Sequence, residues 1–401
     1  MQASNPITTM PKRDWLLLSA LAILTAFLLM LATETALSRR YTKSSRTLGN
    51  CLDYAHAGAG IPNLANCKTV DKSYETPLVH YTFNACGLRS DVGCQPFQPG
   101  STTIAMLGTS VGMGQWVDDD QTLGHQIEMD TARAGGQEIH VANYSRMEEA
   151  PPAMVQLLPQ ILQKRPNMVL VVLSPYDVKI ATTNLQKAAS IAKLTHVGRI
   201  QWWMHYLSTI VQTESPSELA YTLYDHLRSR VQGSRLAAWI DDYVYANDAR
   251  YVRQYLNGEM TETGYLDPHP TTYWEKSYVG LDEEIRQMSA LTHERGIPLV
   301  VVLLPTHAQS ILLAYPAIAR EFPAVDPYYL GRRVQSMVAS DGGIFLNLYP
   351  DYAGRKDLGA DYYYDNGHPD AKALAIFAQM MTAHLEREDI PGFAIPPSKL
   401  P

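Results

Sequence analysis

Five short apolar runs rich in β-branched residues recur through the chain: Thr103–Leu107, Ile139–Asn143, Met168–Leu173, Leu299–Leu304 and Ile344–Leu348. Between them lie stretches with helical spacing such as Met154–Lys164. Runs of this length suit strands, and a strand apolar on both faces needs cover on both faces, which helical connections between parallel strands supply. The rhythm predicts an α/β fold with a parallel five-stranded sheet spanning residues 101–390. From about residue 180 to 290 it breaks into helical stretches dense in Trp and Tyr, including Trp202, Trp203, Tyr206, Tyr221, Tyr224, Trp239, Tyr243 and Tyr245. These predict a helical insertion, read either as a packed cap or as a lid over a substrate or a membrane. With 46% hydrophobic residues in 401, the chain can bury a core of this size.

Ahead of the sheet, Trp15–Ala32 runs without a charge for 18 residues, roughly the thickness of a bilayer core at about 1.5 Å per residue. This divides the N-terminal region into residues 1–14, a transmembrane anchor at 15–37 and a lead-in at 38–100. Signal cleavage after Ala36 would place Glu34 at the third position back, a poor site, so the helix is expected to stay as an anchor. Lys12 and Arg13 precede it while Arg39, Arg40, Lys43 and Arg46 follow, and this balance read alone puts the main domain in the cytoplasm. The cysteines argue for the opposite side. Cys51, Cys67, Cys86 and Cys94 all fall in the lead-in, as expected of two disulfides in an oxidising compartment. Three pairings can form, and we expect Cys51 with Cys67 and Cys86 with Cys94. No Cys-x-x-Cys pair supports a zinc site. The Gly- and Pro-rich lead-in otherwise reads as loop, and residues 391–401 as a frayed tail.

A net charge of −7 without clusters of Lys and Arg argues against a nucleic-acid partner. The chemistry concentrates at two places. Thr103–Gly114 sets Ser110 directly after a strand, in a turn bracketed by Gly108, Gly112 and Gly114. Open parallel sheets bind ligands at that end, and backbone N–H groups of such a turn can face a developing oxyanion. Near the C-terminus, Asp365-Asn-Gly-His368-Pro offers an imidazole to take the serine proton and a carboxylate to fix the ring's tautomer.

Gly108-Thr109-Ser110 resembles the first sequence block of the SGNH (GDSL) hydrolases, and Asp365-x-x-His368-Pro369 resembles their last. Asn84-x-x-Gly87-x-Arg89 is similar to the lead-in of many secreted members. The resemblance covers about residues 80–390. It implies a flavodoxin-like α/β/α fold and a catalytic triad of Ser110, His368 and Asp365, with no cofactor or metal. Two blocks depart from the family pattern. The middle glycine should follow Asn143-Tyr-Ser, yet the chain continues Arg146-Met-Glu; and Ser174-Pro-Tyr176-Asp177 places Tyr176 where the family has asparagine. Gly108, Asn143, Arg146, Tyr176 and Asp177 are therefore the candidates for oxyanion or substrate contacts.

Three other clusters carry alternatives. Asp118-Asp-Asp120 reads as a solvated loop before a helix, Asp267-Pro-His269-Pro as a turn or substrate loop, and His307 as a pocket neighbour or a core histidine. Anchored SGNH proteins with a large insertion resemble those of polysaccharide O-acetylation and teichoic-acid D-alanylation. That resemblance implies an acylated glycan as substrate, a membrane-bound O-acyltransferase as partner, and a place at the inner (cytoplasmic) membrane facing the periplasm. The alternative is a carbohydrate-binding or assembly protein that keeps the scaffold without catalysis.

Overall fold

A computed structural model describes residues 12–38, 45–56, 61–73, 75–97, 100, 102–133, 139–147, 149–180, 235–257, 263–352, 355, 361–363, 367–388, 390–391 and 393. The apolar N-terminal run forms one helix, α1 (Lys12–Leu37), of which Leu17–Leu37 is long and apolar enough to cross a membrane. Its large side chains stay exposed, Leu21, Ile23 and Phe27 among them.

The lead-in is more ordered than its composition predicts. Ser45–Arg46 (β1), Lys68–Lys72 (β2) and Val79–Thr82 (β3) form an antiparallel sheet in the order β1-β2-β3. Alternation in β3 buries Val79 and Tyr81 and leaves His80 and Thr82 outside, a period of two too short to stand out by sequence. Disulfides Cys51–Cys67 and Cys86–Cys94 staple this region.

The main sheet comprises Thr102–Gly108 (β4), Ile139–Asn143 (β5), Met168–Leu173 (β6), Leu299–Leu303 (β7) and Ile344–Leu346 (β8). All pairs are parallel, in the order β5-β4-β6-β7-β8. Counted within this sheet the order is 2-1-3-4-5, that of flavodoxin-like doubly wound folds. Every residue of β4, β6 and β7 is buried, as the continuous apolar runs require.

The helices in chain order are Ser110–Met113 (α2), Leu123–Arg133 (α3), Pro151–Leu162 (α4), Pro175–Ile180 (α5), Arg235–Tyr245 (α6), Asp248–Asn257 (α7), Thr272–His293 (α8), His307–Ala314 (α9), Pro316–Ala319 (α10), Tyr329–Ser340 (α11) and Ala371–Arg387 (α12). α3 packs on α12 to form one layer, and α8 packs on α4 and α11 to form the other.

Residues 181–234, which hold about half of the expected insertion, lie outside the described residues. Its second half needs correction. α8 falls inside the 180–290 interval, yet its face of Trp274, Tyr278, Leu281, Ile285 and Met288 is buried in the main core. It is the crossover helix between β6 and β7, and its aromatic start disguised it as part of the insertion. At the other end, Phe393 of the expected tail is buried in the core, although Pro391 before it is exposed.

One contact joins the ends of the architecture. The Glu34 carboxylate, near the C-terminus of α1, accepts the backbone N–H groups of Arg235 and Leu236, each at 3.0 Å. It thereby caps the N-terminus of α6, where a negative charge also suits the helix dipole.

Candidate active site

The strand order sets the site. β4 has β5 on one side and β6 on the other, so the crevice at the C-terminal ends of β4 and β6 is the topological switch point where doubly wound sheets bind ligands. Ser110 follows β4 and Tyr176 follows β6, so both candidates flank that crevice.

Ser110 opens α2, a single turn closed by Gly114 at φ +82°, in the left-handed region that favours glycine. The first N–H to bond inside the turn is that of Met113, to the Thr109 carbonyl at 2.8 Å. The N–H groups of Ser110, Val111 and Gly112 consequently have no intrahelical acceptor, and such groups supply an oxyanion site. Gly112 is needed for a different reason. A Cβ there would stand 2.7 Å from Ser145 Oγ, so only glycine lets the turn settle against the end of β5.

His368 meets the serine: its Nε2 lies 2.8 Å from Ser110 Oγ. Both residues are partly exposed, so the pair can be reached from solvent. The histidine sits in a narrow loop held by Tyr363 N–H donating to His368 O at 2.9 Å and Gly367 N–H donating to Tyr363 O at 2.8 Å. Just beyond it, Asp370 caps α12 by accepting the Ala373 N–H at 2.9 Å. Burial holds that carboxyl above its usual range, against the N–H bond from Ala373 that lowers it. Asp365, the expected third member, lies outside the described residues. The same spacing occurs in Asp53-x-x-His56, where the carboxylate comes 2.7 Å from Nδ1, so three residues suffice for such a contact.

The oxyanion candidates separate. Asn143 is buried, and its amide is committed to the scaffold: Nδ2 donates to Gly112 O at 2.9 Å and Oδ1 accepts the Ser145 N–H at 3.1 Å. Arg146 donates its backbone N–H to the Gly108 carbonyl at 3.1 Å, tying the segment after β5 to the nucleophile's strand. Asp177 is fully buried and accepts from the Ser174 N–H at 2.6 Å and the Ser174 hydroxyl at 2.8 Å. Burial pushes its pKa up to about 6 against the hydrogen bonds from Ser174 and Thr109. It cross-links the turns after β4 and β6. The Tyr176 hydroxyl lies 3.8 Å from the position of a Cβ on Gly367, the residue before His368, and 3.4 Å from the Tyr255 hydroxyl.

Two residues with roles here, Ser145 and Trp116, escaped the sequence reading, and a third, Arg89, was read only as part of a motif. Ser145 Oγ is buried against Gly108 and Gly112 without a hydrogen-bond partner among the described residues. Only its position two residues after Asn143 could have marked it. Arg89 is buried beneath the nucleophile's turn. It donates to the carbonyls of Met113, Gly114, His80 and Val117 and pairs with Asp119 at 2.8 Å. That gives the Asn84-x-x-Gly87-x-Arg89 motif a mechanical meaning: Asn84 Oδ1 shapes the loop by accepting the N–H groups of Cys86 and Leu88, and the loop delivers the guanidinium. Trp116 holds φ +70°, rare for a bulky residue, with its N–H on the Tyr81 hydroxyl and its carbonyl accepting from Tyr363 OH.

The other clusters have structural employment. Asp118 and Asp119 bond His80 and Arg89, and no group of metal-ligating side chains occurs among the described residues. Asp267 Oδ1 accepts the His269 N–H at 2.8 Å, a local turn. His307 is buried between the rings of Tyr251 and Tyr362.

No family model matches the sequence, and no curated protein matches it. Solved structures do. The crystal structure of TesA aligns with 71% of this chain and 99% of its own, at 10% identity and TM-score 0.38. The lipase/acylhydrolase from Enterococcus faecalis aligns with 71% and 95%, at 12% identity and TM-score 0.34. Esterase EstA from Pseudoalteromonas sp. aligns with 72% and 98%, at 10% identity and TM-score 0.35. Identity and TM-score are both low, and the reading of the site stands on the strand order and the Ser110–His368 contact.

Proposed function

We propose that this chain is a serine ester hydrolase or O-acyltransferase of the SGNH type, acting through an acyl-Ser110 intermediate. The observation that carries this reading is the 2.8 Å contact between His368 Nε2 and Ser110 Oγ at the switch point of the sheet. In the first half-reaction His368 Nε2 takes the hydroxyl proton as Oγ bonds the ester carbonyl carbon. The negative charge then on the carbonyl oxygen meets the N–H groups of the α2 turn. Collapse of the tetrahedral adduct breaks the bond to the alcohol, which leaves with the proton from His368, and Ser110 keeps the acyl group. Water or a sugar hydroxyl, deprotonated by His368 in turn, releases it. Asp365 is the group proposed to hold the imidazole's other nitrogen.

The substrate proposed is an acyl ester, acetyl in the first instance, of an extracytoplasmic glycan, with a membrane-bound O-acyltransferase as partner. The apolar helix α1 and the two disulfides support an anchored domain facing an oxidising compartment. The inner membrane and periplasm are the proposed setting. A fluorophosphonate probe is expected to label the wild type and not Ser110→Ala, with loss of ester turnover in the same variant. The second reading, a glycan-binding protein on this scaffold, is favoured by the commitment of Asn143 to Gly112 and by Tyr176 standing where the family has asparagine. Absence of any labelling, with glycan binding retained, would decide for it.

A further inference from the structure

Tyr176 is the near end of a line of hydroxyls that runs away from the catalytic crevice. Its OH lies 3.4 Å from that of Tyr255 on α7. Tyr255 OH lies 3.2 Å from Tyr265 OH, in the turn Gly264–Leu266, and Tyr265 OH lies 2.6 Å from Thr306 Oγ1. Thr306 caps α9, its Oγ1 accepting the Gln309 N–H at 3.2 Å.

Proton counting gives the line a direction. Four hydroxyls bring four protons to three gaps, so one proton is left over at one end. Thr306 is buried, and among the described residues its hydroxyl has no acceptor other than Tyr265. Its proton therefore goes to Tyr265, Tyr265 donates to Tyr255, and Tyr255 donates to Tyr176. The spare proton is that of Tyr176, beside Gly367 and the loop of His368. In such a chain each bond polarises the next, so the terminal O–H becomes a stronger donor than an isolated phenol.

We propose that the Tyr176 hydroxyl is the side-chain oxyanion donor of this site, standing in for the family's asparagine, and that Tyr255 and Tyr265 are positioning residues supplied by the insertion. The proposal deepens the ester-chemistry reading and rests on it. Burial holds all three phenols well above their usual titration range, so each remains a neutral donor at ordinary pH. The insertion thereby completes the catalytic group that the altered block after β6 would otherwise lack.

The test uses the full chain in detergent with p-nitrophenyl acetate as substrate and phenylboronic acid as a mimic of the tetrahedral adduct. Tyr176→Phe should lower kcat by about 10²–10³ with little change in KM, the usual effect of losing one oxyanion donor. Tyr255→Phe should lower kcat by about 10-fold, because it only loosens and depolarises that donor. Phenylboronate affinity should fall in the same order in both variants. The double variant should be no slower than Tyr176→Phe alone, since Tyr255 acts only through Tyr176. A Tyr255→Phe enzyme with wild-type kcat, or a double variant whose losses multiply, would overturn the proposal while leaving acyl-serine chemistry intact. A wild type that neither turns over the ester nor takes a fluorophosphonate label would overturn both. Unfolding midpoints of the Phe variants guard the comparison: a loss of kcat that tracks a loss of folded protein, with KM and phenylboronate affinity unchanged in the remainder, also counts against it.

Discussion

Glu149 sits at the entrance to α4 with both carboxylate oxygens buried and without hydrogen-bond partners among the described residues. Burial pushes its pKa up to about 8, a rise that Arg146 only partly offsets. The native state thus keeps a proton that the unfolded chain loses near pH 4.5, and stability must fall as pH rises between those values. A contribution on the order of a few kcal/mol, complete below the lower value, is lost through the higher one. Glu149→Gln should therefore flatten the decline in urea midpoint from pH 5 to pH 9. Parallel curves for variant and wild type would show that another group sets the slope. Nothing in the sequence signalled this residue, since a glutamate next to a helix start reads as solvated. By contrast Ser110 and His368 were legible, because each depends on a local pattern, a strand end and a short loop, that the chain spells out within a few residues.

At the scale of elements, the turn after β4 is held by mutual fit more than by its own hydrogen bonds. Gly112 presents its bare Cα to Ser145, and Gly112→Ala would force a methyl group to 2.7 Å from Ser145 Oγ. We expect this variant to lose at least ten-fold in ester turnover through displacement of the serine, since small misplacements of a reacting group carry costs of this order or larger. Combining it with Ser145→Ala should restore part of the loss by removing the oxygen that clashes; no recovery would mean that the turn fails for another reason. Contacts of this kind explain where the sequence reading stopped. Strands β4, β6 and β7 were readable almost to the residue because their burial on both faces writes a nearly continuous apolar run. The small sheet of the lead-in has strands too short for a period to emerge, and α8 hid its amphipathic face behind aromatic residues that looked like those of the insertion. Asn143 and Asp177 were singled out as oxyanion or substrate candidates, but whether such a group faces substrate or scaffold is decided by neighbours far away in sequence, Gly112 for the one and Thr109 for the other.

For the whole molecule, the decisive connection is between the apolar helix and the insertion. Glu34→Ala would leave the first N–H groups of α6 without their carboxylate, at a cost of about 1–2 kcal/mol to that helix. Amide exchange should consequently quicken in α6 while β4, β6 and β7 keep their protection. Equal protection of α6 in both proteins would show that the cap contributes nothing in solution.

If α1 anchors the chain in a membrane, as proposed above, the Glu34 contact also sets an altitude. A catalytic domain hung from a membrane on a slack tether samples every height within its reach. Here the helix that leaves the apolar layer meets α6 end to end, and α6 leads into α7, which carries Tyr255 to Tyr176. On that reading the two helices, of 11 and 10 residues at about 1.5 Å per residue, would stand as a strut between the end of α1 and the Tyr176 side of the crevice. A strut selects substrates by where they are as well as by what they are: an acyl group presented at that distance from the surface is within reach, and the same group free in the surrounding fluid gains nothing from the arrangement.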